Sequence, residues 1–451
     1  MNRIAWCVLA LGIAALPARA QDSEVAKLRE ELKALQQRML TLEKKLQEAE
    51  TKPAAAQPSA QAGAEAGESA FNPGISAILN GVYANLQRDP GTYRINGFVP
   101  TMGDVGPGRR GASLGESELG LSANVDPMFR GTLIAAIAPD NNRIEVEEGY
   151  VQTLGLSNGV SLKAGRFFSE LGYQNRIHAH AWDFTDAPLA MKAFLGGQLA
   201  EDGVQLKWIA PTELYIDAGL ELGRGRAFPA SDPGKNGFGS TNLFTHAGGD
   251  IGESLAWQAG LSLYATSPRS RTYGDTDSLG TAVTNSFTGS SRTWTLSGVL
   301  KWAPEGNSTN NNLKLQGEYF RRRESGSLTY DTTAASLGTM TGSYGSRQSG
   351  WYAQAVYQFM PMWRAGYRYD TLSSGTTTLG LVDSGALPAA NFPILGAYNP
   401  KRQTFMVDWS PSEFSRVRLQ LARDYSRMGL PDNQVFLQYI MSLGAHGAHT
   451  F

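Results

Sequence analysis

A chain of 451 residues with 51 glycines, 17 tyrosines, 9 tryptophans and 18 phenylalanines, only 18% of it charged, has the composition of a β-rich protein with many turns, not of a helical enzyme. Its formal net charge of −1 gives no electrostatic footing for nucleic-acid binding. The single cysteine is Cys7.

The first twenty residues carry Arg3, an apolar run from Ile4 to Leu16 and Ala18-Arg19-Ala20 before Gln21. This pattern predicts a secretory leader over 1–20, whose apolar run is too short to span a bilayer. Removing it takes away Cys7, so the mature chain has no thiol for disulfides, thiol catalysis or cysteine-based metal sites. From Gln21 to Glu50 the apolar residues Val25, Leu28, Leu32, Leu35, Met39, Leu42, Leu46 and Ala49 alternate spacings of 3 and 4. That stripe predicts an α-helical coiled coil over 21–50. The Ala/Pro/Gln-rich stretch 51–72 reads as a flexible linker.

From about residue 73 to 451 the period changes to two. SELGLSANV sets Leu119, Leu121, Ala123 and Val125 against Glu118, Gly120, Ser122 and Asn124, and VQLKW, WQAGLSLY, WRAGYRY and VFLQYIMSL repeat the theme. A soluble sandwich also alternates, so the turns decide. Trp208, Trp302, Phe359 and Trp409 each stand shortly before the Pro of a short turn, while the opposite connections are long and polar. Rings recurring at one end of strand after strand, with short turns there and long loops opposite, mark a barrel crossing an outer membrane. The expected fold is all-β, a 16-stranded antiparallel transmembrane barrel. Its strands are expected near 74–88, 112–125, 129–139, 144–156, 160–171, 197–210, 214–225, 241–250, 256–267, 292–303, 313–324, 349–360, 363–374, 401–410, 414–427 and 434–451. Sixteen strands enclose an aqueous lumen. In the last strand Val435, Leu437, Tyr439, Met441, Leu443, His449 and Phe451 would face lipid, and His446 the lumen or its mouth.

Together with the leader, heptads and linker, the segments FNPGISAILNGVYANL, VEEGYVQTLGL, VSLKAGRFF and LGAHGAHTF resemble the phosphate-selective porin O and P family, including a subgroup labelled zinc-regulated or TonB-dependent receptors. The resemblance implies a homotrimeric porin of a Gram-negative outer membrane. It also implies recognition of Phe451 by the outer-membrane assembly machinery. No stretch before residue 71 could hold the plug of a TonB-dependent receptor. A phosphate preference would need rows of inward cations. Here Lys163, Lys207, Lys301, Lys314, Arg364, Arg368, Arg416 and Arg418 are balanced by Glu118, Asp217, Glu221, Glu318, Asp370, Asp408 and Asp424, so no such preference is expected.

The connection 172–196, with His178, His180, Trp182, Asp183 and Asp186, is long enough to fold into the lumen. The expected constriction joins His178, His180, Asp183 and Asp186 with Lys163, Arg166, Lys207, Arg364, Arg368, Arg416 and Arg418. His178 and His180, with Asp183 or Asp186 and a third imidazole from His246 or His446, are candidate ligands of a divalent metal, set against a role in hydrogen-bonding the loop to the wall. The runs Glu145/Glu147/Glu148 and Arg321/Arg322/Arg323 fit either a lumen field or solvated charge at the outer rim. The resulting reading is a non-enzymatic porin passing small hydrophilic solutes, without a resident cofactor, with the coiled coil in the periplasm and lipid and lipopolysaccharide around the barrel. The alternatives are a channel or receptor for zinc or a metal complex, a membrane-embedded enzyme, and a tether anchored by the barrel.

Overall fold

The computed structural model describes residues 74–101, 105–137, 143–232, 234 and 236–444. The leader, coiled coil and linker, and His446, His449 and Phe451, lie outside the described residues.

Strands β1 (Gly74–Leu86), β2 (Gly111–Leu114), β3 (Ser117–Asn124), β4 (Phe129–Ile137), β5 (Ile144–Thr153), β6 (Val160–Phe168), β7 (Ala200–Ile209), β8 (Tyr215–Gly223) and β9 (Ser240–Ile251) are followed by β10 (Leu255–Thr266), β11 (Arg271–Thr276), β12 (Ala282–Trp302), β13 (Asn312–Tyr330), β14 (Met340–Met360), β15 (Trp363–Leu379), β16 (Lys401–Ser412), β17 (Ser415–Asp424) and β18 (Asp432–Gly444). Every pairing among them is antiparallel, and β1 pairs with β18 from Ser76↔Gly444 to Leu86↔Gln434, which closes the sheet. β2 and β3 both pair with β1 and form one staggered wall strand, as do β10 and β11 against β12. The described residues therefore make a closed barrel of sixteen strands, the number expected from the alternation.

The wall follows the pleat. On β17, Leu419 and Leu421 are exposed while Arg418, Gln420 and Ala422 are buried. An apolar outward row is stable only against lipid, so the alternation runs polar-in and apolar-out. Trp208, Trp302, Phe359, Trp363, Trp409 and Phe414 are exposed beside the short turns, and Trp363 stacks on Trp409 with centroids 6.1 Å apart.

The long connections expected at 269–291 and 329–348 are largely strand. β12 and β14 each run 21 residues, against 8 to 10 in β3 to β8. Their upper halves, such as TNSFTGSSRT, lack an apolar row because both faces leave the lipid there. The hydrogen-bonded ladder continues where the hydrophobic signal stops.

The lumen also holds apolar cores. The α-helix α1 (Leu189–Leu195) is buried on every side within the barrel, and Phe194 stacks on Phe320 at 5.9 Å and meets Phe98 edge-on at 5.7 Å. A second cluster joins Val99, Phe287, Tyr344, Leu381, Phe392 and Ile394, so the connection after β15 fills the space between the tall strands. No face of α1 meets water, so its residues are apolar except Lys192, whose charge is paired with Asp186.

Candidate functional site

The connection from β6 to β7 turns into the lumen at Gly172. Its φ is +78°, and a Cβ there would lie 2.5 Å from Glu318 Oε1. Only glycine takes this turn without strain. Glu318, on the opposite wall, accepts hydrogen bonds from the amides of Tyr173 and Gln174, the latter at 3.1 Å. The loop ends at Gly196, a left-handed C-cap on α1.

Beyond Gly172 the loop spans two walls of opposite charge. On one side its carboxylates meet cations of β13, β15 and β16. Asp183 lies 3.0 Å from Lys314 Nζ and 3.2 Å from Arg364 Nη1. Asp186 lies 2.8 Å from Lys192 Nζ and 3.1 Å from Arg368 Nη2, and also pairs with Arg402. Arg418 and Arg416 donate to the carbonyl of Trp182 at 2.9 and 3.3 Å. Burial alone would raise both carboxyl pKa values. The charges of Lys314 and Arg364 for Asp183, and of Arg402, Lys192 and Arg368 for Asp186, outweigh it and hold both below the ordinary carboxylate range.

On the other side the histidines meet glutamates of β3 and β5. His180 Nδ1 is 2.7 Å from Glu118 Oε1, and His178 Nδ1 is 3.2 Å from Glu118 Oε2 and 3.4 Å from Glu147 Oε2. His178 Nε2 is 3.0 Å from Glu148 Oε2. Alternation would send Glu147 and Glu148 to opposite faces. The β4–β5 ladder skips Glu147, pairing Ile134 with Glu148 and Ala135 with Val146, and this bulge brings both side chains to the loop. Burial would favour neutral His178, but its contacts with Glu118, Glu147 and Glu148 hold its pKa well above the ordinary imidazole value.

Between the histidines and the short-turn end lies a cavity of about 570 Å³, lined by His178, Glu148, Tyr150, Lys163, Glu170, Arg176, Lys207, Tyr215, Asp250 and Trp257. Lys207 is 2.8 Å from Asp217 and 3.5 Å from Glu170, and Arg176 is 3.4 Å from Glu170. Lys163 sits over the rings of Tyr150 and Phe167, at 4.7 and 5.4 Å.

No protein-family model matches the chain. An uncharacterized protein of Aquifex aeolicus (strain VF5) is 31% identical over 363 residues, covering 76% of this chain and 71% of that protein. The chain belongs to the family of that protein. Among solved structures, a loop L8 deletion mutant of OmpT, an outer membrane protein of Vibrio cholerae, matches 83% of this chain and 100% of its own at 12% identity, with a TM-score of 0.51. The outer membrane channel DcaP of Acinetobacter baumannii matches 82% of this chain and 97% of its own at 12% identity, with a TM-score of 0.46. At 12% identity, the Vibrio barrel shows the fold of this chain and nothing finer.

The residues expected at one constriction divide into three groups. Lys163, Lys207 and His178 line the cavity, with His180 beside His178. Asp183, Asp186, Arg364, Arg368, Arg416 and Arg418 hold the loop to the wall. Arg166 turns away, because its guanidinium is bound by both carboxylate oxygens of Asp202, at 2.6 and 3.1 Å, and by the carbonyl of Val146, while the adjacent Phe167 takes the buried position. Asp183 and Asp186 are committed to arginine, so the carboxylates beside the histidines are Glu118, Glu147 and Glu148. His246 is buried against Asp217 at 2.7 Å, apart from the pair. Of the charged runs, Glu147 and Glu148 face the lumen, whereas Arg321 and Arg323 are exposed on the outer wall and flank the buried Arg322. Arg176, Glu170 and Trp257 went unnoticed in the sequence because nothing in their own neighbourhood distinguishes them. Only the fold of the loop puts them at the cavity.

Proposed function

We propose that the protein is an outer-membrane porin through which small hydrophilic solutes diffuse passively. The carrying observation is the loop bound across the lumen beside a 570 Å³ cavity whose lining mixes Lys163, Arg176 and Lys207 with Glu148, Glu170 and Asp250. Charge of both signs around a partly narrowed lumen supports passage of small ions and polar solutes with modest selectivity. Most inward arginines are neutralised by their own aspartates, which supports a porin of the phosphate-selective porin O and P architecture without its phosphate preference. On this reading the barrel is a homotrimer, the heptad segment 21–50 stands in the periplasm, and Phe451 serves assembly.

Lipid contact follows from the outer wall. Arg292, Arg323 and Arg347 are exposed and directly opposite one another across β12, β13 and β14, just beyond the exposed rings of Trp294 and Trp351. We assign this row to the phosphate groups of lipopolysaccharide. A second reading, a channel for a divalent metal, draws on His178 at the cavity edge.

The test is single-channel current of the detergent-folded protein in a planar bilayer under a KCl gradient. Steps in triplets with a modest reversal potential support the porin. Absence of conductance from protein whose barrel is folded overturns it and leaves the tether.

A further inference from the structure

We propose that Glu118, His178 and His180 form a zinc site that clasps the lumen loop to the barrel wall, with Glu148 as the outer partner of His178. The Nε2 of His178 faces Glu148 Oε2 at 3.0 Å. Its Nδ1 faces Glu118 Oε2 and Glu147 Oε2, at 3.2 and 3.4 Å, without a well-formed hydrogen bond. In the absence of a metal the positive charge facing these carboxylates is a proton on His178. A divalent cation at Nδ1 takes that proton's place and releases it.

The donor set selects the cation. The ligand atoms of Glu118, His178 and His180 lie within 4.8 Å of one another. A tetrahedral zinc with bonds of about 2.0–2.1 Å holds its ligand atoms roughly 3.3 Å apart. The two histidines meet different oxygens of Glu118, His178 Nδ1 at 3.2 Å from Oε2 and His180 Nδ1 at 2.7 Å from Oε1, so a single ligand oxygen serves both only after the carboxylate turns between them. Two imidazole nitrogens with a carboxylate suit zinc, whereas calcium and magnesium prefer oxygen throughout. A carboxylate on the far nitrogen of a ligating histidine fixes its tautomer and raises its basicity, which is the place Glu148 occupies. Glu147, or water, completes the shell.

The ion would tie β3 to the loop at the end opposite the arginine anchor. His178 also lines the cavity, so occupancy would change the current. That second consequence rests on the porin reading, whereas binding itself does not.

The test uses full-length protein folded in detergent and stripped with a chelator. Titration calorimetry with zinc chloride alone, and metal analysis after dialysis, are expected to give one zinc per chain. Glu118→Gln and His180→Ala should each weaken binding by at least about tenfold, with folding of each variant checked by heat-modifiable migration. Cobalt in place of zinc should give the intense visible bands of a tetrahedral site in the wild type only. Absence of zinc uptake, uptake unchanged in both folded variants, or equal uptake of calcium or magnesium would overturn the site. Zinc bound at one per chain to a barrel that carries no current would leave the site standing and remove the porin.

Discussion

Arg364 of β15 reaches Asp183 of the lumen loop at 3.2 Å, and the same guanidinium holds Asp408 of β16 at 2.7 Å. One wall arginine thus joins a loop carboxylate to a wall carboxylate. Asp186 repeats the arrangement with Lys192, Arg368 and Arg402, where the Arg368 and Arg402 side chains are each 1% exposed. Removing one partner of a buried ion pair leaves the other charge unmatched, which costs about 3–5 kcal/mol. Asp186→Asn is therefore expected to lower the urea midpoint of the folded barrel and to increase current noise as the loop loosens. An unchanged midpoint and an unchanged noise spectrum would show that the pairs are dispensable.

The same pairs set a pH window. Asp183 and Asp186 have folded pKa values depressed below the unfolded value, so their stabilisation is fully present above about pH 4, the ordinary aspartate value, and is lost only as pH falls through the depressed range. Any acid transition in conductance that disappears in the Asp183→Asn/Asp186→Asn double variant should lie below pH 4. A transition between pH 4 and 6 abolished by that double variant would contradict the assignment.

How far this loop could be read beforehand depended on what each residue responds to. The barrel was legible because lipid and water impose opposite chemistry on successive residues, as Glu118 and Leu119 illustrate. The strand extensions are hidden because above the bilayer their outward Ser, Thr and Gly face water while their inward positions mix Phe287 and Tyr344 with Ser291 and Ser346, so no apolar row continues, and nothing in EVEEGY shows that a bulge turns Glu147 and Glu148 the same way. His178-x-His180 is visible in the sequence as a pair of ligands, and proximity alone points to Asp183 and Asp186 as their carboxylates. In the fold they come from residues 30 to 62 positions earlier, because Asp183 and Asp186 face guanidinium groups.

Lys163 differs from the other cations of the cavity. Arg176 and Lys207 are matched by carboxylates, whereas Lys163 lies over aromatic rings and makes no ion pair among the described residues. Glu170 feels its charge without touching it, so Lys163 is less compensated locally than Arg176 or Lys207, which contact that carboxylate. At about 8 Å in water one unit charge is worth roughly 0.5 kcal/mol, so Lys163→Glu changes local ion energy by about 1 kcal/mol, or roughly fivefold in occupancy. The reversal potential under a KCl gradient should move toward potassium, and by more than in Arg364→Glu, which makes the same two-unit change away from the cavity lining. Equal shifts in the two variants would place the conducting path along the arginine wall.

The outer wall gives the last expectation. Arg323 is opposite Arg292 on one side and Arg347 on the other, and Arg321 is opposite Trp294. Within these three strands β12 and β14 carry no acidic residue, and the two of β13, Glu318 and Glu324, are buried on the inner face. Like charges directly opposed on adjacent strands destabilise a sheet by a few tenths of a kcal/mol, up to about 1. The row is therefore unfavourable unless anions neutralise it, and at the level of the aromatic belt the available anions are headgroup phosphates. Two opposite effects should follow from Arg292→Gln/Arg323→Gln/Arg347→Gln. In uncharged detergent the variant should be more stable than the wild type by about 0.5–1 kcal/mol. In protein extracted from membranes, the phosphorylated glycolipid retained per chain, measured by native mass spectrometry, should fall. Binding of inorganic phosphate alone should stay weak in both proteins, because a single small anion spans only part of the row. If the variant retains as much glycolipid as the wild type, the arginines are solvated charge at the rim and the phosphate contacts lie elsewhere on the barrel.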